Sequence, residues 1–393
     1  MIKTASKRGH IALMMAHCAG MLDLVALPVW IGTLVQYYKL EPQQAGSLAT
    51  LFLFGAVIAS ITLAHRLHSF NGRWVAVIGF GLAALCFAGV SQTSEFSLMA
   101  ILHVAAGLSV GAALSVTHGT IARSINPHRL FAIVSAALGV FSVIFYAAVP
   151  SLVAASGGEL LFVIFGLVML LASLVSVIAF PTADARLDED VTLEGQPVKN
   201  TVKVKIPKAV WFGIVGISAM GLVQAMTFSF LERVGDANGF TVAAISGVLV
   251  TLGIVNLLPA PLAGLLQHRV SARWVLILGP GLQALISFAI MSTQSFMLYA
   301  ISASLFAGVI LFTHTFVFGV LARLDISGRA LAATPAMMMT GAGIGPILGG
   351  SLVQGFGYQS IGIAAICIAV VSTFCFSRVH SSENTQSVQE PAA

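Results

Sequence analysis

The chain has 393 residues, a formal net charge of +5, 58 % hydrophobic residues, only 8 % charged residues and a mean hydropathy of +0.98. Ordinary globular chains carry about 25 % charged residues, so this one cannot cover a water-exposed surface, and disordered, collagen-like and disulfide-framework classes fall as well. The basic residues are scattered through short gaps between apolar runs, which argues against nucleic acid as a partner and for a role in membrane topology.

A bilayer-spanning helix needs about 20 mostly apolar residues, because the hydrocarbon core is about 30 Å thick and a helix rises about 1.5 Å per residue. Twelve runs meet this requirement. The first six are 11–36, 43–65, 74–92, 96–121, 130–154 and 159–180; the second six are 209–231, 241–266, 274–292, 296–320, 330–354 and 357–377. Strict alternation is absent and the runs are far longer than barrel strands, so helices are the expected spanning element. Lys3, Lys7 and Arg8 before the first run resemble the start of a signal peptide, but the run is too long for an h-region and is expected to remain as the first membrane helix.

The expected organisation is a six-helix bundle over 1–180, a polar linker over 181–208, a second six-helix bundle over 209–378 and a disordered tail over 379–393. The linker carries five acids and five bases and reads as solvated. With both termini in the cytoplasm, 17 of the 19 Lys and Arg residues fall on the cytoplasmic side, leaving only Lys39 and Arg233 outside. Such an asymmetry is what the positive-inside rule expects; the expected location is a plasma membrane, the inner membrane if bacterial, with both termini cytoplasmic. Trp74, Trp211 and Trp274 stand at expected cytoplasmic helix starts, where indoles favour the interface. Cys18, Cys86, Cys367 and Cys375 lie within the runs without metal spacing and read as small packers.

The two halves resemble each other at an offset of 200 residues. Arg73-Trp74-Val75 recurs as Arg273-Trp274-Val275, and eight of the 13 positions from 73 to 85 are identical. His65-Arg66 recurs as His268-Arg269, and Ala122-Arg123 and Arg129 recur as Ala322-Arg323 and Arg329. An offset that spans six helices makes the repeat parallel, and parallel repeats place a binding site near the midplane between halves.

With these features in place, the chain resembles the major facilitator superfamily: six plus six helices, a charged central loop, and basic loops after the second and eighth runs. The family's loop motif, Gly-x-x-x-Asp-Arg/Lys followed by Gly-Arg/Lys, is matched by Gly264 to Arg269 with Arg273, and by Ile61 to Arg66 with Gly72-Arg73. His65 and His268 stand where the family has Asp, and Ile61 replaces the first-half Gly. The resemblance implies a cytoplasmic gate at His65, Arg66, Arg73, His268, Arg269 and Arg273, wired without the family's acid. Residues 341–350 fit the Gly-x-x-x-Gly-Pro-x-x-Gly-Gly pattern linked with antiporters there, on the eleventh helix rather than the usual fifth. Gly341, Gly345, Pro346, Gly349 and Gly350 read either as close helix packing with a bend or as information about antiport.

Asp23 is the only acid deep within any of these runs. Central placement of a charged side chain costs about 2.5–3.5 kcal/mol on the insertion scale, so the residue is either a proton or cation site or a structural acid bonded to a neighbouring helix. Gly20-x-x-Asp23 aligns with Gly221-x-x-Gln224 in the second half, which confines a charge change to the first. In the fourth run His103 and Gly107 stand where the family often has Arg and Gly. His103 could exchange a proton near neutral pH and is expected to work beside Asp23. His103, Gly107, Gly111, Ser115 and His118 share one small, polar face, suited to a cavity wall or a helix contact. His118 and His314 are candidate cavity residues or interhelical hydrogen-bonders, His17 is a weaker candidate, and a metal site is not expected.

No Lys or Arg lies deep within a run, which favours neutral, weakly charged or cationic organic solutes. Gly-x-Ser-x-Gly, His-Glu-x-x-His and phosphate-binding Gly-x-x-x-x-Gly-Lys-Ser/Thr patterns are absent, so an enzyme, a primary pump and a cofactor are not expected. The expected function is a monomeric, proton-coupled secondary carrier of a small organic solute, using alternating access and leaning to export. The alternatives are a proton symporter importing a nutrient and a sensor or channel on the same fold.

Overall fold

The computed structural model describes residues 2–64, 70–182, 207–267, 269–324 and 329–387. Among them the regular structure is helical, apart from a single bridge between Lys3 and Thr182. The helices are α1 (Lys7–Gly20), α2 (Leu22–Gln36), α3 (Pro42–Ala64), α4 (Gly72–Val90), α5 (Phe96–Ala122), α6 (Pro127–Ser156), α7 (Glu159–Ala179), α8 (Lys208–Ser229), α9 (Leu231–Ala237), α10 (Val242–Val255), α11 (Pro259–Leu266), α12 (Ala272–Ser292), α13 (Phe296–Leu324), α14 (Arg329–Phe356) and α15 (Gln359–Ser387).

These are the twelve expected runs, with the first, seventh and eighth each interrupted. Ten segments of the described residues are long and apolar enough to cross a bilayer, and Val242–Val255 is a shorter apolar helix. The first run turns at Met21 (φ −109°, ψ 19°). The seventh turns at Phe230 (φ −109°, ψ 9°) and continues as α9, beyond the expected end at 231. The eighth breaks after Asn256 and restarts at Pro259, in the first turn of α11. Proline lacks the N–H and crowds the carbonyl four residues back, so it starts a helix more easily than it continues one. α15 runs to Ser387, past the 377 expected for its end, so helix occupies much of the stretch expected as a disordered tail; 388–393 and most of the expected linker lie outside the described residues.

The internal repeat is visible contact by contact. A Cβ at Gly79 would lie 2.6 Å from the Ser109 carbonyl and 3.0 Å from Ala113; at Gly279 it would lie 2.5 Å from Thr313. Ser173 Oγ donates to the Val77 carbonyl at 2.8 Å, and Thr373 Oγ1 to that of Ile277 at 3.5 Å. Arg123 Nε donates to the Gly119 carbonyl and Arg323 Nε to the Gly319 carbonyl. α6 and α14 both end on a glycine with positive φ, Gly157 (99°) and Gly357 (78°), whose N–H donates to the carbonyl of Val153 or Val353. Glycine takes this left-handed conformation without the Cβ penalty. Trp74 and Trp274 are both exposed.

The contacts divide the chain into two compact units. One contains Met1–Leu24, Phe54–Phe141 and Glu159–Lys205; the other contains Val25–Leu53, Ser142–Gly158 and Ile206–Ala393. In the first, α4 packs on α5 and α7 around Phe87, Phe162 and Phe165, whose rings meet edge-on or stacked at 5.2–6.4 Å. The Thr182 N–H donates to the Ile2 carbonyl, which joins the start of the chain to the end of its sixth span. In the second, α8, α12, α13 and α15 enclose a core that includes Ile217, Met220, Val317, Leu321 and Phe376. Helix association in lipid relies on packing and interhelical hydrogen bonds rather than on water exclusion. Here that takes the form of Thr227 with Ser287 at 2.7 Å and Ser372 Oγ donating to the Gly216 carbonyl at 2.9 Å.

Candidate functional site

Asp23 occupies the first turn of α2, two residues beyond the turn at Met21. Gly20, on the other side of that turn, lets α1 approach α5: a Cβ there would lie 2.6 Å from Leu114 Cδ1. The interruption therefore sets a carboxyl group at a place where the helix ladder is broken, the setting that discontinuous membrane helices provide for ions.

α1 brings a second titratable group to α5. His17 is buried, and its Nδ1 shares a hydrogen bond with Nε2 of His118 at 3.1 Å. The ring centroids are 5.2 Å apart, and Phe131 of α6 covers His118 at 5.5 Å. One imidazole must donate and the other accept, so the pair holds a defined proton; a second proton would replace the acceptor with a donor and break the bond. The sequence contained the signal, two histidines on helices expected to be neighbours, but His17 ranked low because nothing in its spacing identifies a partner 101 residues away.

His103 is fully buried against α4 and α7. Its Nδ1 donates to the Met99 carbonyl at 2.6 Å, and its ring meets Phe87 and Phe162 edge-on at 6.4 and 5.9 Å. These contacts give His103 an aromatic setting, while His118, further along the same helix, hydrogen-bonds to His17 of α1. Gly107 and Gly111, expected on a cavity wall or at a helix contact, stand at a helix contact with α3. A Cβ at Gly55 would lie 3.3 Å from Gly107 C, one at Gly111 would fall on the Ala56 backbone, and Ser60 Oγ donates to the Gly111 carbonyl at 3.1 Å. The physical reason is size: residues without side chains let two backbones meet.

In the second unit Gln224 Oε1 accepts from Gln283 Nε2 at 3.2 Å, and the same Nε2 reaches the Met220 carbonyl at 3.2 Å. His314 Nδ1 donates to the Ile310 carbonyl at 3.2 Å and its ring stands edge-on to Phe318 at 5.0 Å. On α14, Gly341 abuts the Ser218 carbonyl, Gly345 abuts Ala225 and Met226, and Gly349 abuts Phe230 and Met226, so three glycines spaced by four seat α14 on α8. Gly350 and Pro346 meet α3 at the Pro42 carbonyl and at Gly46. Of the residues assigned to the gate, Arg73 is half-buried and Arg269 and Arg273 are exposed, while His65, Arg66 and His268 lie outside the described residues.

Sequence reasoning also missed Glu232. It lies in the first turn of α9, and its Oε2 is sealed from solvent with no hydrogen-bond partner among the described residues. Among those residues no group of three or more His, Cys, Asp and Glu side chains is placed to hold a metal ion.

A family model described as Major Facilitator Superfamily matches residues 12–317 and 233–392. The chain belongs to that superfamily. It is a membrane transporter, not an enzyme, and its fold is the superfamily's, two pseudo-symmetric six-helix bundles. No curated protein matches it in sequence. Solved structures similar to this transporter include a bacterial homolog of the human lysosomal transporter Spinster in an inward-facing, occupied conformation, with TM-score 0.75, 14 % identity, and 97 % of this chain and 98 % of that one covered. The nucleoside transporter NupG is similar at TM-score 0.74 and 14 % identity, over 95 % and 98 % of the two chains. A D-xylose–proton symporter follows at TM-score 0.71 and 16 % identity, over 92 % and 96 %.

Proposed function

We propose that this transporter is a proton-coupled secondary carrier that exports a small organic solute by alternating access, with Asp23 as the coupling residue. The observation that carries the reading is a carboxyl group at the break between α1 and α2, within a span that has no other acid. An ionisable group at that depth is costly to keep and is retained where it exchanges a proton or an ion. The neutral Gln224 on α8 and the scarcity of cations inside the spans favour an uncharged, weakly charged or cationic solute. The His17–His118 pair supplies a second proton-holding group, with His17 on α1, the half of the interrupted first span that precedes Asp23.

The test is transport of a panel of labelled solutes by the purified protein in proteoliposomes under imposed pH gradients. Accumulation driven by an acid interior identifies exchange of solute for protons, the export mode; accumulation driven by an alkaline interior identifies symport. Asp23→Asn is expected to abolish gradient-driven accumulation while keeping solute exchange, because an amide cannot take up and release the proton. Wild-type accumulation by that variant would remove Asp23 from the coupling route, and insensitivity to gradients of either sign would overturn proton coupling.

A further inference from the structure

α9 opens with Glu232, Arg233 and Asp236 within a single turn and a half. Arg233 Nη1 pairs with Asp236 Oδ2 at 2.7 Å, so the one cation of this helix has a carboxylate already. Glu232 is directed at α2: a Cβ on Gly32 would stand 2.9 Å from Glu232 Oε1 and 3.0 Å from its Cδ. The glycine thus leaves a notch that the carboxyl group fills. The other ionisable groups that feel Glu232 are Tyr37, at the end of α2, and Tyr299 of α13, together with Asp236. Burial, followed by the Glu232 and Asp236 carboxyls, pushes the Tyr37 phenol up from its ordinary range. Tyr299 Oη donates to the Leu231 carbonyl at 2.9 Å. Arg233, whose Nη1 is already held by Asp236, is the one neighbour that favours a negative charge on Glu232; against it stand burial, the Asp236 carboxylate and two phenols, and no cation forms an ion pair with Glu232 among the described residues.

The surrounding contacts are uncharged as well. A Cβ on Gly46 would fall on the Pro346 carbonyl and one on Gly350 on the Pro42 carbonyl; one on Gly158 would lie 2.6 Å from Tyr37 Cβ. The Ile347 N–H donates to Thr50 Oγ1 at 3.2 Å, and the Gln43 N–H to Gln354 Oε1 at 3.3 Å. The seam that joins α2 and α3 to α9 and α14 is close backbone approach at glycines with two neutral side-chain acceptors, Thr50 and Gln354, and it gives the Glu232 carboxyl no hydrogen-bond donor of its own among the described residues.

We propose that Glu232 is a proton-controlled latch for this seam: its carboxyl group sits in the Gly32 notch as the neutral acid and withdraws when it ionises. The latch rests on the alternating-access reading above and adds a proton-binding group to it. Since the seated form holds the proton, the closed seam is most populated at low pH and is lost as pH rises.

The test needs neither solute nor gradient. Spin labels at Gln43→Cys on α3 and Phe356→Cys on α14, in protein whose four native cysteines are replaced by alanine, report the separation across the seam in nanodiscs. Between about pH 5 and about pH 9 the separated population is expected to grow severalfold with Glu232 present. Glu232→Gln, which is neutral at every pH, should stay closed throughout. Gly32→Ala, which fills the notch, should be separated throughout. A pH response that survives in Glu232→Gln, or its absence with Glu232 present, overturns the latch, and the glutamine variant decides alone if the alanine variant does not fold. Because transport is not measured, the latch can fail while gradient-driven accumulation stands, and the reverse.

Discussion

His17 and His118 each depend on the other for a buried hydrogen bond. Removing one ring strands the other's nitrogen in a low-dielectric interior, which costs about 1–3 kcal/mol. His17→Leu and His118→Leu are each expected to lower the melting temperature of the purified protein in detergent, and the double variant should lose less than the sum of the two, since the second substitution removes a group already stranded. Additive losses would show two independent rings. At this scale the sequence was informative about residue type and poor about partners. Asp23 was legible because an acid inside an apolar run is conspicuous by cost alone. The pairing of His17 with His118 and the aromatic setting of His103 were not, because both depend on which helix faces which across long stretches of chain. Glu232 was hidden by its neighbours: three charges among 232–236 read as a loop, whereas Arg233 and Asp236 neutralise each other one turn apart and let the helix continue.

At the scale of helices, close approach separates two kinds of glycine. Gly341 faces the Ser218 carbonyl of α8 so closely that an added methyl must push the helices apart. Gly341→Ala is therefore expected to destabilise by about 1–3 kcal/mol. Gly319 on α13 has open space around it, with nothing within 4 Å of an added Cβ. There the same substitution only stiffens the chain, and Gly319→Ala is expected to be neutral or to stabilise by up to about 1 kcal/mol. Titration with a denaturing detergent, followed by tryptophan fluorescence, checks both. A loss at Gly319 as large as that at Gly341 would show that close approach is not what Gly341 provides. The spans themselves were readable since the bilayer imposes a length and a polarity that few other elements satisfy. Their interruptions were less so. The break before Pro259 has a proline to mark it, but those at Met21 and Phe230 carry no proline or glycine at the turning residue itself.

For the whole molecule, the charge asymmetry predicts which loops face which side. Cysteines introduced at Ser94 and Ala237 should react with an impermeant reagent added outside intact cells, and one at Ser271 should not; labelling of Ser271→Cys from outside would overturn the topology. The offset of 200 residues survives from sequence into contacts that no local pattern encodes, such as the hydroxyls of Ser173 and Thr373 on matching carbonyls. The glycines at 157 and 357 bear on how such a chain is made. Each closes a hairpin of two residues, Gly157-Gly158 between α6 and α7 and Gly357-Tyr358 between α14 and α15. A link that short cannot stay on the near side of a bilayer while one of its helices crosses alone. With the termini in the cytoplasm, as the charge asymmetry predicts, both turns lie on the far side, and each pair is expected to enter the membrane together during synthesis, the turn leading.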